Sequence, residues 1–435
     1  MRHTLPPSFR SLLMPAAIIA GTVAALLCPA EGSILDALLQ RLPLPGRSVA
    51  EHPDRYNLQN IYTQIDRDAR NRPHFNHFFY HVDPTEYFYP ASLVKLPVAA
   101  LALEKINTLG IQGLSCRTPL RIDNAVDCPA GYAWSDTASV ESSIRRMLLS
   151  SDNGAYNRLW EFLTRDYANG RLKECGYGGI RLLHRLAPCS VLQNRVNNPV
   201  RFYRENGQTL YTQPQTISLL SDENPLAPVT MGSFSYRDGI LLLRPFRADN
   251  LNYAPLESVH RFLIAVMFPA AVASGSPLQL SDGDYRLLRT WMCLLPRESG
   301  MPEYVPDSGY ADNFKKYFLF GDGTRPCSTS VREFNVVGRA YGFMSDVAYF
   351  ADFERHVEFF LSAVIFANED DVVNDDQYEY EAVALPFFSA LGAAVYEYEK
   401  TRYRRHCPDL REFVPLLPVK KKTAATGRRP PRRFR

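Results

Sequence analysis

No two of the eight cysteines stand in the C-x-x-C spacing of a structural zinc site, so a zinc enzyme is not expected. The apolar stretch from Leu12 to Leu27 is 16 residues long, short of the roughly 20 that a bilayer span needs. His74, His77 and His81 fall in one aromatic, strand-like stretch whose alternation separates them, which argues against a metal. The acidic run from Glu369 to Glu381 lacks the glycine and spacing of an EF-hand loop and reads as a solvated loop. Internal repeats are also missing. With 46% hydrophobic and 22% charged residues, disorder is not the default, and 435 residues suffice for two or three ordinary domains.

The N-terminus is organised for export. Arg2 and Arg10 precede the apolar stretch, and Cys28-Pro29-Ala30 follows it, so residues 1–30 read as a signal peptide removed near Ala30. The bulky Leu26-Leu27 pair makes Cys28 a poor lipidation site. Export places the mature protein in the periplasm or cell envelope and permits disulfides. Cys116 with Cys128, or Cys175 with Cys189, are near enough in sequence to pair, and the seven cysteines that remain once Cys28 leaves with the leader are an odd set, so at least one thiol stays unpaired.

The charge is split along the chain. Residues 420–435 carry eight Lys or Arg and no acid, and removing those eight and the two leader arginines from the net +3 leaves the remainder at −7. Residues 406–435 therefore read as a basic, disordered tail able to touch an anionic envelope surface. Nucleic acid is not an expected partner, and a monomer is expected.

Leu58–Ile65 and Phe75–Val82 have the composition of a strand hairpin, after a short helix at Ile34–Leu42. Helical patterns follow at Leu93–Leu109, Val140–Leu149, Ala155–Leu163, Leu256–Met267 and Asp284–Leu295. Phe202–Leu210 and Phe234–Arg244 alternate like added strands. Strands return at Arg332–Val337, Ala348–Phe353 and Val357–Phe366, and a helix at Ala384–Tyr403 closes the pattern. The order implies an α+β unit over 31–405. An antiparallel sheet is assembled from both chain ends (about 31–90 and 330–405), with a mainly α region inserted (about 91–329) and a β insertion near 200–250.

Two motifs carry the chemistry. In Ser92-Leu93-Val94-Lys95 the hydroxyl and the amine share a helix face at i and i+3, so they can meet. Serine needs an adjacent base, and lysine serves only if burial or a neighbouring cation lowers its pKa from about 10.4. Ser151-Asp152-Asn153 sits between two helical patterns and is also a good N-cap sequence. S-x-x-K followed by S-D-N is two thirds of the signature of class A β-lactamases and penicillin-binding proteins.

With Tyr89-Pro90-Ala91-Ser92 running to Lys95-Leu96-Pro97, and Gly338-Arg339-Ala340-Tyr341-Gly342-Phe343 running to Tyr349, the chain resembles that superfamily from about Ile34 to Tyr403. The resemblance implies a β-lactamase/transpeptidase-like fold that works without metal or organic cofactor. It makes Ser92 the acylated nucleophile, Lys95 its base and Ser151 a proton relay to the leaving nitrogen. Asn153 then holds the substrate amide, and the oxyanion hole is built from the backbone N–H groups of Ser92 and Arg339, next to Gly338.

Two departures qualify the expected chemistry. Where the third motif has a lysine, this chain reads Val336-Val337-Gly338, so the usual cation for the substrate carboxylate is missing; Arg339 and Arg332 are the candidates to replace it. The stretch 176–204 holds no Asp or Glu, so the glutamate that activates the deacylating water in class A enzymes has no counterpart, and Asn194, Asn197 and Asn198 can hold a water but not act as a base. The expectation is a serine hydrolase acting on a β-lactam or a D-alanyl cell-wall peptide. The alternatives are a penicillin-binding DD-peptidase and a non-catalytic wall-binding pseudoenzyme.

Overall fold

The computed structural model describes residues 33–123, 138–272, 277–304 and 309–417. The leader, Cys28, Cys128 and the basic run from 420 onward lie outside the described residues.

A capping box between Ser33 and Asp36 starts α1 (Ile34–Gln40), and α2 (Gly46–Glu51) follows. β1 (Gln59–Arg67) and β2 (Pro73–Tyr80) form the expected hairpin, with Thr63 opposite His77. A 3-10 turn at Ala91–Val94 leads into α3 (Lys95–Leu109), so Ser92 stands on that turn, one residue turn ahead of the α-helix proper. α3 is apolar nearly all round and buried over Lys95–Ile106, as a helix through the middle of a domain must be. Truncating one of its fully buried leucines, Leu101→Ala, costs about 2–5 kcal/mol.

β3 (Leu120–Ile122), α4 (Val140–Ser150), α5 (Asn153–Leu163), α6 (Arg165–Glu174) and α7 (Val191–Arg195) come next. The β insertion is made of short pieces: β4 (Val196–Asn197), β5 (Val200–Tyr203), β6 (Thr209–Gln213), β7 (Thr216–Ile217), β8 (Thr230–Met231), β9 (Phe234–Arg237), β10 (Ile240–Leu242) and β11 (Phe246–Arg247). Both single strands expected here are hairpins. Gly207 at φ 81° breaks the first, and Asp238 at φ 52° with Gly239 at φ 82° folds the second as the tight turn such dipeptides favour. α8 (Leu256–Met267) and α9 (Asp282–Cys293) complete the helical part.

β12 (Val331–Ala340), β13 (Phe343–Asp352) and β14 (Val357–Phe366) join β1 and β2 in one antiparallel sheet of order β12-β13-β14-β1-β2. β15 (Val372–Val373) pairs with β9, and α10 (Leu385–Thr401) closes the chain reversal. Every residue of β13 and β14 is buried because both sheet faces are covered. One apolar cluster packs the sheet on the inserted helices; the other packs it on α1 and α10.

The ordered body reaches beyond residue 405. Leu410 and Phe413 are buried, and the Phe413 ring lies 5.0 Å from Tyr349 and 5.2 Å from Phe268, so these two side chains anchor the otherwise largely exposed residues 406–417 to the core. Neither suggested cysteine pairing forms. Cys116 and Cys175 are free thiols, Cys175 buried at the end of α6, while Cys189 is disulfide-bonded.

Candidate active site

The chain turns sharply into the site. Ala91 adopts φ 44°, an uncommon value for a residue with a Cβ, and sets Ser92 at the start of the 3-10 turn. In that first turn backbone N–H groups have no intrahelical acceptor. One turn on, Lys95 is 1% exposed, and its Nζ lies 2.8 Å from Ser92 Oγ.

Ser151 caps the end of α4 in the left-handed region (φ 60°), and Asp152 caps the start of α5 by accepting from the Ala155 N–H at 2.8 Å. This two-cap corner points Ser151 and Asn153 at the lysine. Lys95 Nζ donates to Ser151 Oγ at 2.9 Å, to Asn153 Oδ1 at 2.7 Å and to the Ser151 carbonyl. Ser92, Lys95, Ser151 and Asn153 thus converge on one amine. A neutral Lys95 keeps two N–H donors for the Ser151 carbonyl and Asn153, which leaves its lone pair for the Ser92 hydroxyl proton. Asn153 is exposed, and its Nδ2 makes no protein hydrogen bond among the described residues.

Burial pushes the Lys95 pKa well below the ordinary lysine value, and the charge of Lys315 pushes it down further, while Asp152 opposes both. Lys315 is the residue that sequence reasoning missed. It lies in the segment between α9 and β12, its Nζ donates to the Leu148 carbonyl of α4, and its own pKa is lowered to about 7 by burial and by Lys316. Asn335 on β12 holds it by donating to the Lys315 carbonyl at 2.5 Å, and the same Nδ2 donates to Asp346 at 2.9 Å. Lys316 Nζ donates to the carbonyls of Met292 and Glu333 and to Asn335 Oδ1. The signal in the sequence was a pair of lysines set inside the aromatic run from Phe314 to Phe318.

Neither arginine proposed as a substitute cation is placed for that task. Arg332 is clamped by two bonds to Glu298, at 2.7 and 2.9 Å. Arg339 pairs with Glu381 at 2.8 Å over the Tyr380 ring. Val336 and Val337 are both buried, packed in the two different clusters, and offer a carboxylate nothing.

Gly338 brings β12 hard against the serine turn. A Cβ there would meet Pro90 O at 2.6 Å and Ser345 Oγ at 2.5 Å. As the edge strand of the sheet, β12 leaves alternate N–H groups without a strand partner beside this turn, and Arg339 follows Gly338 directly.

The loop from 181 to 198 holds no carboxylate, and its asparagines are committed elsewhere. Asn194 Oδ1 accepts from the Arg185 N–H at 3.0 Å, Asn197 Oδ1 accepts from the Arg165 N–H at 3.0 Å, and Asn198 donates to Glu161. The water-holding role considered for these asparagines is therefore taken by structural bonds. Glu161, fully buried, pairs with Arg185 at 2.8 Å. It lies eight residues along α5 from Asn153, about 12 Å at 1.5 Å per residue, and so is a structural ion outside the site. His184 stacks on Tyr89, with ring centroids 6.0 Å apart, and burial lowers its pKa to about 4.

Residues 74–220 match the beta-lactamase enzyme family. That span contains Ser92, Lys95, Ser151 and Asn153, so the similarity to β-lactamases covers the convergent cluster and ends before Gly338. No curated protein matches the chain. Among solved structures the chain is similar to a β-lactamase from Sphaerobacter thermophilus, at 11% identity over 85% of this chain and 97% of that one, with a TM-score of 0.48. It is also similar to a class A β-lactamase representative from Bacteroides cellulosilyticus, at 11% identity over 85% and 100%, with a TM-score of 0.44. A β-lactamase from Desulfarculus baarsii matches at 14% identity over 84% and 98%, with a TM-score of 0.45. Likenesses this loose carry no weight for activity or substrate.

Proposed function

We propose that this β-lactamase-like protein is an exported serine acyl-enzyme hydrolase, in which Ser92 attacks the carbonyl of a β-lactam or a D-alanyl cell-wall peptide. The observation that carries the reading is the buried Lys95 amine held between Ser92 Oγ, Ser151 Oγ and Asn153 Oδ1 at 2.7–2.9 Å. Lys95, neutral through burial and the adjacent Lys315, takes the Ser92 proton as Oγ bonds to the carbonyl carbon. The developing oxyanion is met by the backbone N–H groups of Ser92 and Arg339. Ser151 passes the proton from Lys95 to the departing nitrogen as the C–N bond breaks, and the acyl group stays on Ser92. Asn153 Nδ2 is the donor for the substrate's amide carbonyl.

Hydrolysis of that ester is slow in this reading, because loop 181–198 offers no carboxylate to activate water. A penicillin-binding outcome is therefore favoured over rapid lactam turnover. Val336 and Val337 remove the usual carboxylate anchor, which favours substrates held by their amide and side chain.

Intact mass spectrometry after incubation with a penicillin tests this, with Ser92→Ala as control and free lactam followed in parallel. A persistent adduct absent from Ser92→Ala supports the proposal in full. Ser92-dependent lactam loss with no adduct supports the nucleophile and overturns slow deacylation. Neither adduct nor loss, with penicillins and with D-alanyl-D-alanine peptides, refutes the proposal and leaves a wall-binding protein.

A further inference from the structure

A cavity of about 320 Å³ opens on the flank of the sheet, between its edge strand β2 and α8, and shares no residue with the Ser92 cluster. Phe75, His77 and Phe79 are alternate residues of β2 and line it from one strand face. Glu257, His260, Arg261 and Ile264 stand at i, i+3, i+4 and i+7 of α8 and line it from one helix face. The His77 ring lies 6.3 Å from Phe75 and 6.1 Å from Phe79, so the strand side is a continuous aromatic surface. The volume falls at the lower end of the roughly 300–1,000 Å³ of small-molecule sites, which share this make-up of apolar walls with a few polar groups.

Behind His77 runs a buried polar chain. Thr63 Oγ1 lies 2.8 Å from His77 Nδ1 and 2.9 Å from His260 Nε2, and Ser362 Oγ lies 2.7 Å from His260 Nδ1. Thr63, His260 and Ser362 are all buried, so each of their protons needs an acceptor within the chain. Ser362 Oγ has no other partner among the described residues, and its proton therefore goes to His260 Nδ1. His260, kept neutral because burial lowers its pKa to about 3, donates through Nε2 to Thr63, and Thr63 donates to His77 Nδ1. The chain thus delivers its one spare donor, His77 Nε2–H, to the cavity, where it has no partner among the described residues. A protonated Nε2 is no metal ligand.

Opposite charges flank that donor. Glu257 and Arg261 stand one helical turn apart in the order that favours an ion pair, yet they form none, and neither makes a hydrogen bond among the described residues. Burial lowers the His77 pKa, and the two charges act on it in opposite senses, Glu257 upward and Arg261 downward, which sets both near the ring. A plain anion in the cavity meets Glu257, and a plain cation meets Arg261. A wholly apolar guest strips water from both charges and from the His77 N–H without replacing it. A molecule with one ammonium and one carboxylate on an apolar body satisfies all three groups. Residues at i and i+4 leave the helix about 5–6 Å apart, which suits two charges carried on one carbon better than the two ends of a peptide.

We propose that this cavity binds a free α-amino acid with an aromatic or large aliphatic side chain. The ligand carboxylate accepts from Arg261 and from His77 Nε2–H, its ammonium donates to Glu257, and its side chain lies along Phe75, Phe79 and Ile264.

Isothermal titration calorimetry of the full chain with D- and L-phenylalanine tests the proposal. The expected result is saturable binding of at least one enantiomer with a Kd of about 1 mM or tighter, unchanged in Ser92→Ala, which separates this cavity from the Ser92 cluster. 3-Phenylpropionate, which lacks the ammonium, and phenethylamine, which lacks the carboxylate, bind about tenfold more weakly or worse. Arg261→Gln and Glu257→Gln each lose about tenfold or more in affinity with an unchanged melting temperature, because neither side chain holds a bond in the free protein. Nitrogen NMR shifts of the free protein show His77 as the Nε2–H tautomer. Absence of binding by both enantiomers overturns the proposal, as does binding that the two analogues match. So does affinity lost in Ser92→Ala or indifferent to the Arg261 and Glu257 substitutions, and so does an Nδ1–H tautomer at His77.

Discussion

Gly338→Ala puts the site's geometry to its most direct test. The added methyl would lie 2.6 Å from Pro90 O, 2.5 Å from Ser345 Oγ and 3.4 Å from Leu93 Cγ. The serine hydroxyl can rotate away, but the Pro90 carbonyl is backbone two residues before Ser92, so the turn and the strand must separate. Restoring an ordinary contact of about 3.4 Å from 2.6 Å takes roughly 0.8 Å of movement, and overpacking of this size costs about 1–3 kcal/mol of stability. The same movement draws the Arg339 N–H away from the Ser92 N–H. Misplacement of about 1 Å, or loss of one oxyanion donor, each costs on the order of 10²-fold in rate. Acylation of Ser92 in the Gly338→Ala protein by penicillin, timed by mass spectrometry, is therefore expected to slow about 10²-fold while the melting temperature falls only a few degrees. Gly178→Ala, whose methyl would meet nothing closer than 3.5 Å, is the control. A Gly338→Ala protein that acylates at the parental rate would refute the idea that β12 and the serine turn form one oxyanion site.

Other perturbations separate the electrostatic and structural roles. Lys315→Met removes the neighbouring charge that adds to burial in lowering the Lys95 pKa, so that pKa rises and the acid limb of the acylation pH profile moves to higher pH; a profile that stays in place contradicts the assigned role. Arg332→Gln is expected to leave that limb where it is, because Arg332 is held by Glu298, although the broken pair lowers stability. Glu161→Ala strands Arg185 as an unpaired buried cation and should cost about 3–5 kcal/mol, read by denaturant unfolding. His260, bonded to Thr63 at 2.9 Å and Ser362 at 2.7 Å, has its pKa lowered to about 3 by burial. Its contribution is therefore full above the unfolded value near 6.5 and is lost as pH falls toward 3. Each such histidine steepens the acid loss by about 1.4 kcal/mol per pH unit, and His260→Asn should flatten the curve by that amount.

What could be read from sequence was whatever is local. Val357–Phe366 and Leu256–Met267 are long, strongly patterned segments, and they fold over those same residues. The Ser92–Lys95 pair needs only one helical turn to meet, and Ser151–Asn153 is a corner whose capping residues specify it locally. The reading failed where partners are distant or a single turn residue decides. Gly207 and Gly239 turned two expected strands into hairpins, and Leu410 and Phe413 joined the core from a stretch whose charges resemble a tail. The lost third-motif lysine shows the deeper reason. Replacing it was sought among arginines adjacent in sequence, yet the charge beside Lys95 comes from Lys315, whose bond to Leu148 spans 167 residues. What the chemistry requires is a cation near the amine, and that is a condition on position in space. Any strand or loop that the fold brings to the end of α4 satisfies it, so a motif can lose its lysine while the site keeps the charge.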